Sequence, residues 1–483
     1  MSPTERILRG PLAFEVARFG LPLAVGMGLQ TTFNLVDAYL IARLPVREVG
    51  PAMGALGIAD LIAAVGTISS YGITTGAGAM LARRAGAGDE AGVRKVAWQS
   101  TLVVAALGLA FAVLGLLFAG PVVRGLVGAK GDVALYAERY LQISVGGSFT
   151  IFFLLHLSTL QRALGSAKTP VALLVFGNVL NVLLAVLLIF GPGPAPAGLG
   201  WAADLARALG VPRLGMLGAA WATVIARALV LVPNVIIVIR RFGLGVPAAQ
   251  ERGPDAAVLR ELFRLALPLS AQFLVRIGSM LLASSLVARY FTTETDQTAS
   301  VAMGLVFRLD TLALFVAIGW GNAAQTFVGQ CLGASLHPRA LRSGWLSAGY
   351  DLVTAALIAL VALRYGPELL SLFDPEPGPL TIASQYLSVV APAYLGLGTA
   401  IVLGAAISGA GAMRLALSVD LFVLLAVQTP LSIVVCARGG SLRALFACVA
   451  ASHVVGAVIY AVVFARRRWL GAPMSAPSSS PLG

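Results

Sequence analysis

The chemistry of this chain rests on a few polar side chains set inside long apolar runs. In the first run Gln30, Asn34 and Asp37 stand at i, i+4 and i+7, which puts two amides and a carboxyl on one face of a helix. Asn178 and Asn181 stand at i and i+3 in a later run, and Thr223 lies in the next. Further carboxyls stand at Asp60, Asp310, Asp351 and Asp420, and a guanidinium at Arg276. A carboxyl in such a place can take up and release a proton, or help hold a small cation together with other oxygens. An ionisable group at the centre of a membrane helix costs at least ~2.5–3.5 kcal/mol, so each is read first as functional. The plainer reading of Asp37 is a structural carboxylate held by Asn and Thr donors. Asp310 has Arg276 as its expected partner across two neighbouring helices, which would make it structural. Asp60 has no evident basic partner and is the better second proton site. His156 and His453 are possible proton relays, although a single helical His is more often a packed polar residue. Gln30, Gln272, Arg276 and Asp310 are expected to face a substrate cavity. Met27, Met53, Met80, Met280 and Met303 offer an adaptable apolar surface, with packing the commoner use.

The elements that position these residues follow from composition. The chain has 483 residues, 58% hydrophobic and 11% charged, with a mean hydropathy of +0.89. A soluble chain carries roughly 25% charged residues. About 20 apolar residues span a bilayer, and twelve runs are that long. They lie near Phe19–Ile41, Ala52–Leu81, Ala97–Gly120, Leu135–Leu160, Thr169–Gly191 and Met216–Ile239, then near Leu259–Ala288, Ala299–Leu332, Leu341–Leu363, Leu380–Gly409, Leu415–Ala437 and Leu442–Phe464. In lipid every backbone amide must bond within its own segment or a closed barrel. The runs are too long for the ~10-residue alternating strands of a barrel, so helix is forced. The expected fold is an all-α integral membrane protein of twelve transmembrane helices.

The net charge of +13 is not a nucleic-acid signal, because the basic residues sit between apolar runs. With both termini in the cytoplasm, the inner segments hold 20 Lys and Arg and the outer segments 11. The inner groups include Arg83, Arg84, Arg94 and Lys95, then Arg240 and Arg241, then Arg466, Arg467 and Arg468. The positive-inside rule therefore favours cytoplasmic termini. The N-terminus is expected to carry no cleavable signal, since the first apolar run is too long for one. Cys331, Cys436 and Cys448 give no disulfide framework and no metal spacing. No G-x-x-x-x-G-K-[ST] loop is present, which argues against an ATP-driven pump, and no convergent nucleophile and base suggests an enzyme.

The chain also repeats itself. Leu21-Pro22-Leu23 matches Leu267-Pro268-Leu269 at an offset of 246. Ala52-Met53-Gly54 with Asp60 matches Ala302-Met303-Gly304 with Asp310 at 250, and Gly86-Ala87 matches Gly333-Ala334 at 247. Ordered matches at a nearly constant offset argue for two pseudo-symmetric six-helix lobes. Six is even, so both lobes start on the same side and the repeat is parallel, with a substrate cavity between them. The expected divisions are an N-terminal lobe 1–240, a cytoplasmic linker 241–258, a C-terminal lobe 259–465 and a disordered cytoplasmic tail 466–483.

Several motifs then stand in a telling order. Phe33-Asn34-Leu35-Val36-Asp37 precedes Ala42-Arg43-Leu44, and Gly76-Ala77-Gly78-Ala79 precedes Arg84-Ala85-Gly86-Ala87-Gly88-Asp89. Ala163-Leu164-Gly165-Ser166-Ala167-Lys168-Thr169-Pro170 precedes Asn178 and Asn181, Leu217-Gly218-Ala219-Ala220-Trp221-Ala222-Thr223 follows, and Val328-Gly329-Gln330-Cys331-Leu332-Gly333-Ala334 comes later. Taken in order, over roughly residues 15 to 465, they resemble the multidrug and toxic compound extrusion (MATE) family, within the wider group of polysaccharide and lipid-linked-oligosaccharide exporters. The resemblance implies two six-helix lobes, a central cavity and cation-coupled export of organic, often cationic, compounds. The expected location is the bacterial inner (plasma) membrane, and the expected state a monomer in the lipid bilayer with a small-molecule substrate, no nucleic acid and no cofactor. Asn178, Asn181 and Thr223 are the expected neighbours of the Gln30, Asn34 and Asp37 face. The family often carries a second carboxylate four residues after the fifth-helix Asn, and here that place is Ala185. One branch has a Glu early in helix seven, where this chain has Arg276, and an acid in helix ten, which this chain lacks. Proton coupling through Asp37, with Asp60 as a second site, is favoured over sodium. The alternative function is a lipid-linked saccharide or polysaccharide flippase of the same superfamily.

Overall fold

The computed structural model describes residues 2–196, 198–371 and 376–471, apart from the side chains of residues 32–35, 46, 60, 61, 64 and 67. Among the described residues the chain is helical, without a strand. The N-terminal lobe contains α1 (Leu12–Ile41), α2 (Val46–Gly86), α3 (Glu90–Gly120), α4 (Gly131–Ser144 and Ser148–Ala163), α5 (Lys168–Phe190) and α6 (Met216–Phe242). The C-terminal lobe contains α7 (Ala256–Tyr290), α8 (Thr298–Gly333), α9 (His337–Ser371), α10 (Pro377–Gly409), α11 (Met413–Ala437) and α12 (Leu442–Ala465). Ten of these are long and apolar enough to cross a bilayer singly, and α4 does so as a pair bent by 44°. The 41-residue α2 takes the remaining place, against α3, α7 and α8. Large apolar side chains such as Leu114, Leu117, Val353, Leu357 and Leu360 are exposed, as expected of faces that meet lipid rather than water.

The lobes meet through α1, α2, α7 and α8, at the ends of these helices nearest the linker. Here α2 and α8 cross with almost nothing between them. A Cβ on Gly86 would overlap the Gln330 carbonyl oxygen, and a Cβ on Gly333 would overlap that of Arg83. A shift of 247 positions carries Gly86 onto Gly333 and Arg83 onto Gln330, so the two contacts are copies of one another. A second pair behaves likewise. Gly319 presses on Ala24 at the α8–α1 contact, and Gly72 presses on Ser270 at the α2–α7 contact. Self-matching contacts of this kind are the mark of a two-fold relation between the halves, here along the axis the parallel repeat requires. Small residues permit it because only they let backbones approach so closely. At the opposite end Gly50, Gly57, Gly278 and Gly304 face open space, and the lobes diverge to leave a cleft between them.

Helices of even number end at the closed end. Their unpaired carbonyls carry partial negative charge, and the basic residues of the linker end stand beside them. Two carbonyls are capped from the other lobe. The amide of Gln330 donates to the Ala163 carbonyl at 2.7 Å, and Arg83 donates to the Ala410 carbonyl at 3.2 Å.

The linker is shorter than the sequence suggests, because α6 continues to Phe242 and α7 begins at Ala256. It is pinned to α3. Trp98 donates to the Arg252 carbonyl at 3.0 Å, Gln99 to that of Gly253 at 2.8 Å, and Lys95 pairs with Asp255 at 2.5 Å. The Lys95 ammonium, helped by the N–H groups at the start of α7, holds the Asp255 carboxyl below its ordinary range. The tail is ordered further than its composition suggests. Arg468–Gly471 forms a single turn, and Trp469 is buried against Phe464, ring centroids 4.6 Å apart. An aromatic ring able to cover the end of α12 outweighs the polar bias of its neighbours. Residues 472–483 lie outside the described part.

Candidate transport site

The N-terminal lobe brings three of the expected residues together. The amide of Asn181 on α5 donates to both oxygens of Asp37 at 3.2 Å, and the Thr223 hydroxyl on α6 donates to one at 3.5 Å. Arg227, one turn beyond Thr223, adds a positive field without a close ion pair to Asp37 among the described residues. Asn178 is near in sequence, but its amide nitrogen is buried with no hydrogen-bond partner. Ala185, where the family pattern often has an acid, is fully buried in the lobe core. The side chains of Asn34 and Asp60 lie outside the described residues. Gln30 is on the α1 face but lines a separate crevice with Met27, Ser158 and Arg162.

The C-terminal lobe holds a pocket of roughly 860 Å³, its open mouth included, lined by Arg276, Met280, Met303, Phe307, Asp310 and His453 among others. Its polar groups are wired differently from the expectation. Asp310 does not pair with Arg276. It accepts from the phenols of Tyr386 at 2.5 Å and Tyr394 at 2.6 Å, both on or beside α10. These lengths are those of hydroxyl-to-carboxylate bonds, and two such donors satisfy a buried carboxylate without a cation. Arg276 instead forms a forked pair with Asp420 on α11, Nε to Oδ2 at 2.5 Å and a terminal nitrogen to Oδ1 at 3.2 Å. The reason is packing: α7 lies along α11 far more extensively than along α8. Tyr460 on α12 donates to Asp420 Oδ1 at 2.8 Å, and Gln272 donates to the Tyr460 oxygen at 3.1 Å. Immediately after Asp420, α11 widens into five-residue-spaced turns over Leu421–Gln428, a local irregularity common where helices carry function.

The cleft floor lies between these two sites. Tyr71 of α2 stacks on Phe273 of α7, centroids 4.6 Å apart, and Gln325 of α8 donates to the Thr75 carbonyl at 2.9 Å. Gln272, Arg276 and Asn322 add polar groups to its lining. Thus Arg276 serves both the pocket and the cleft, whereas Gln272 faces the cleft and Asp310 the pocket. The remaining acids and histidines separate. Asp351 is buried against Gly398, away from these cavities, and one of its oxygens has no partner. His156 is buried against the Thr101 hydroxyl at 3.0 Å.

Tyr386, Tyr394, Tyr460 and Arg162 are the polar residues that sequence reasoning passes over. The tyrosines look like ordinary aromatics of a membrane helix. Arg162 reads as a loop-edge charge because Gly165 follows three residues on.

Comparison with known proteins adds independent weight. The MatE family model matches residues 22–187 and 268–434, one segment in each lobe. A probable multidrug resistance protein of Bacillus subtilis, YpnP, is 26% identical over 86% of this chain and 86% of its own length. A FAD transporter of Shewanella oneidensis is 23% identical over 89% of this chain and 90% of its own. Among solved structures, one described as the outward-facing conformation of a multidrug resistance MATE family transporter superposes with a TM-score of 0.84 at 19% identity, covering 96% of this chain and 97% of that one.

Proposed function

The chain belongs to the MatE family, and from that premise we propose that it exports amphipathic organic cations, drugs among them, in exchange for protons. The two lobes rock about the contact of α1, α2, α7 and α8, so that the cleft opens to one side of the membrane at a time. The saccharide-lipid flippase reading draws no support from the named relatives. The observation that carries proton coupling is the shell around Asp37. Among the described residues its hydrogen-bond donors are one amide and one hydroxyl, and apolar Ala185 stands where a second acid would help hold a metal cation. Sodium favours several oxygens held at once, with carboxylate charge to offset its dehydration. A carboxyl bonded, among the described residues, to neutral donors alone is better suited to a proton, and its charge state biases how α1 packs. Binding that discriminates between two lobe arrangements is what couples ion to drug.

The test is efflux of a lipophilic cationic dye from proteoliposomes under a pH gradient alone and a sodium gradient alone. Acceleration by the pH gradient is expected. Efflux driven by sodium with no response to pH would overturn the reading.

Orientation belongs to the same proposal. Both termini and the linker face the cytoplasm of a bacterial cell, because the linker end carries 20 of the Lys and Arg against 11 at the other. A cysteine placed at Gly253 should react with a membrane-impermeant maleimide only after the cells are opened. The native background is low, since all three cysteines are buried. Labelling of intact cells from outside would invert the topology.

A further inference from the structure

Among the described residues, the basic side chains at the lobe interface are matched to different degrees. Arg276 is matched by Asp420, and Arg83 by a backbone carbonyl. Arg162, in the last turn of α4, donates to the Thr159 hydroxyl at 2.6 Å and, among the described residues, to no carboxylate. A guanidinium has five N–H donors in a planar fork, so most of its capacity is unused. The carbonyl end of α4 offsets part of its charge without filling the fork. Arg162 is only partly exposed, and it lines two adjoining hollows. One, shared with Thr75, Asn322 and Gln325, continues under the cleft floor; the other holds Gln30 and Ser158. The stacked pair Tyr71 and Phe273 stands next to the first, across Thr75 and Gln325.

We propose that the cleft floor is an acid-recognising subsite, in which Arg162 binds the carboxylate or phosphate of an exported amphiphile. A forked guanidinium takes such a group through two parallel hydrogen bonds. Asn322 and Gln325 supply neutral polar contacts beside it, and the Tyr71–Phe273 pair receives an aromatic body. The proposal rests on the export reading above and narrows it: the preferred cargo carries an acidic group as well as its cation.

The experiment compares the cationic ethyl ester of a rhodamine with the corresponding free acid, which keeps the cation and adds a carboxylate. Binding to the purified full chain is read by fluorescence anisotropy, and export by the vesicle assay. In Arg162→Gln the ratio of free-acid to ester affinity should fall about tenfold, the scale of one charge-assisted interaction. Arg162→Lys should recover part of that ratio. An unchanged ratio in Arg162→Gln would overturn the assignment. If the wild-type chain exports the ester but does not bind the free acid, the subsite falls and cation export stands. If it exports neither dye, the export reading fails and the subsite with it. Displacement of the free acid by phosphatidylglycerol, and not by phosphatidylcholine, would assign Arg162 to lipid head groups and overturn the role in cargo binding.

Discussion

Arg276→Ala should lower the unfolding temperature of the detergent-solubilised protein sharply, and Asp420→Leu added to it should restore most of the loss. The pair is nearly dry: the side chains are 16% and 6% exposed. Removing one partner strands the other charge in a low-dielectric site, which costs about 3–5 kcal/mol in comparable buried pairs. Removing both replaces two desolvated ions with apolar surface, which is often neutral or better. The control is Asp310→Asn in the Arg276→Ala background. It should rescue nothing, because Asp310 is satisfied by Tyr386 and Tyr394 and does not see the missing guanidinium. Recovery by Asp310→Asn, with none from Asp420→Leu, would mean the pairing is other than described.

Asp37→Asn should abolish concentrative export while leaving the protein folded. The substitution keeps the size of the side chain, and an amide can still bond Asn181 and Thr223, but it cannot take up a proton. One pH unit is worth 1.36 kcal/mol per proton, about a tenfold ratio. Electroneutral exchange of one proton for one monovalent cation therefore limits the dye gradient to about tenfold per pH unit. The wild type should approach that limit, and the variant should equilibrate the dye to a ratio near unity. Thr223→Ala should weaken transport far less, since it removes a single long hydrogen bond of about 1 kcal/mol or under. A wild-type ratio near the square of the limit would mean that two protons move, and would bring a second carboxyl into the cycle. Full concentrative export by Asp37→Asn would remove Asp37 from the coupling altogether.

The fold was legible because the bilayer leaves the chain so few choices. Apolar length fixes the helices, and the repeat offset of 246 to 250 fixes their grouping. The same offset reappears as physical contact at Gly86 and Gly333. Within the N-terminal lobe, helical spacing and the family motifs together placed Asn181 and Thr223 on Asp37. The C-terminal lobe was harder. Arg276 could reach either of two carboxyls in principle, and which one it meets depends on helix rotation and neighbour choice, which periodicity does not specify. Tyrosine hides its role, because its ring reads as apolar while its hydroxyl does the work of a cation at Asp310. Arg162 was hidden by proximity to a loop: topology counts treat such charges as facing water, whereas this one turns back under the cleft.

The capping of α4 by Gln330 and of α10 by Arg83 has a consequence for how the closed end comes apart. Each carbonyl stands at the C-terminal end of its helix, Ala163 as its last residue and Ala410 as its cap, and each donor belongs to the other lobe. When the lobes separate there, the bonds are not lost to lipid. They are traded for bonds to water at the membrane surface, an exchange that is close to neutral in free energy. The glycine crossings beside them hold the helices by close fit of backbone on backbone. The latch is therefore weak by construction. It behaves like a seal wetted from one side, and under the proton-exchange proposal a bias worth one proton would decide whether it stays shut.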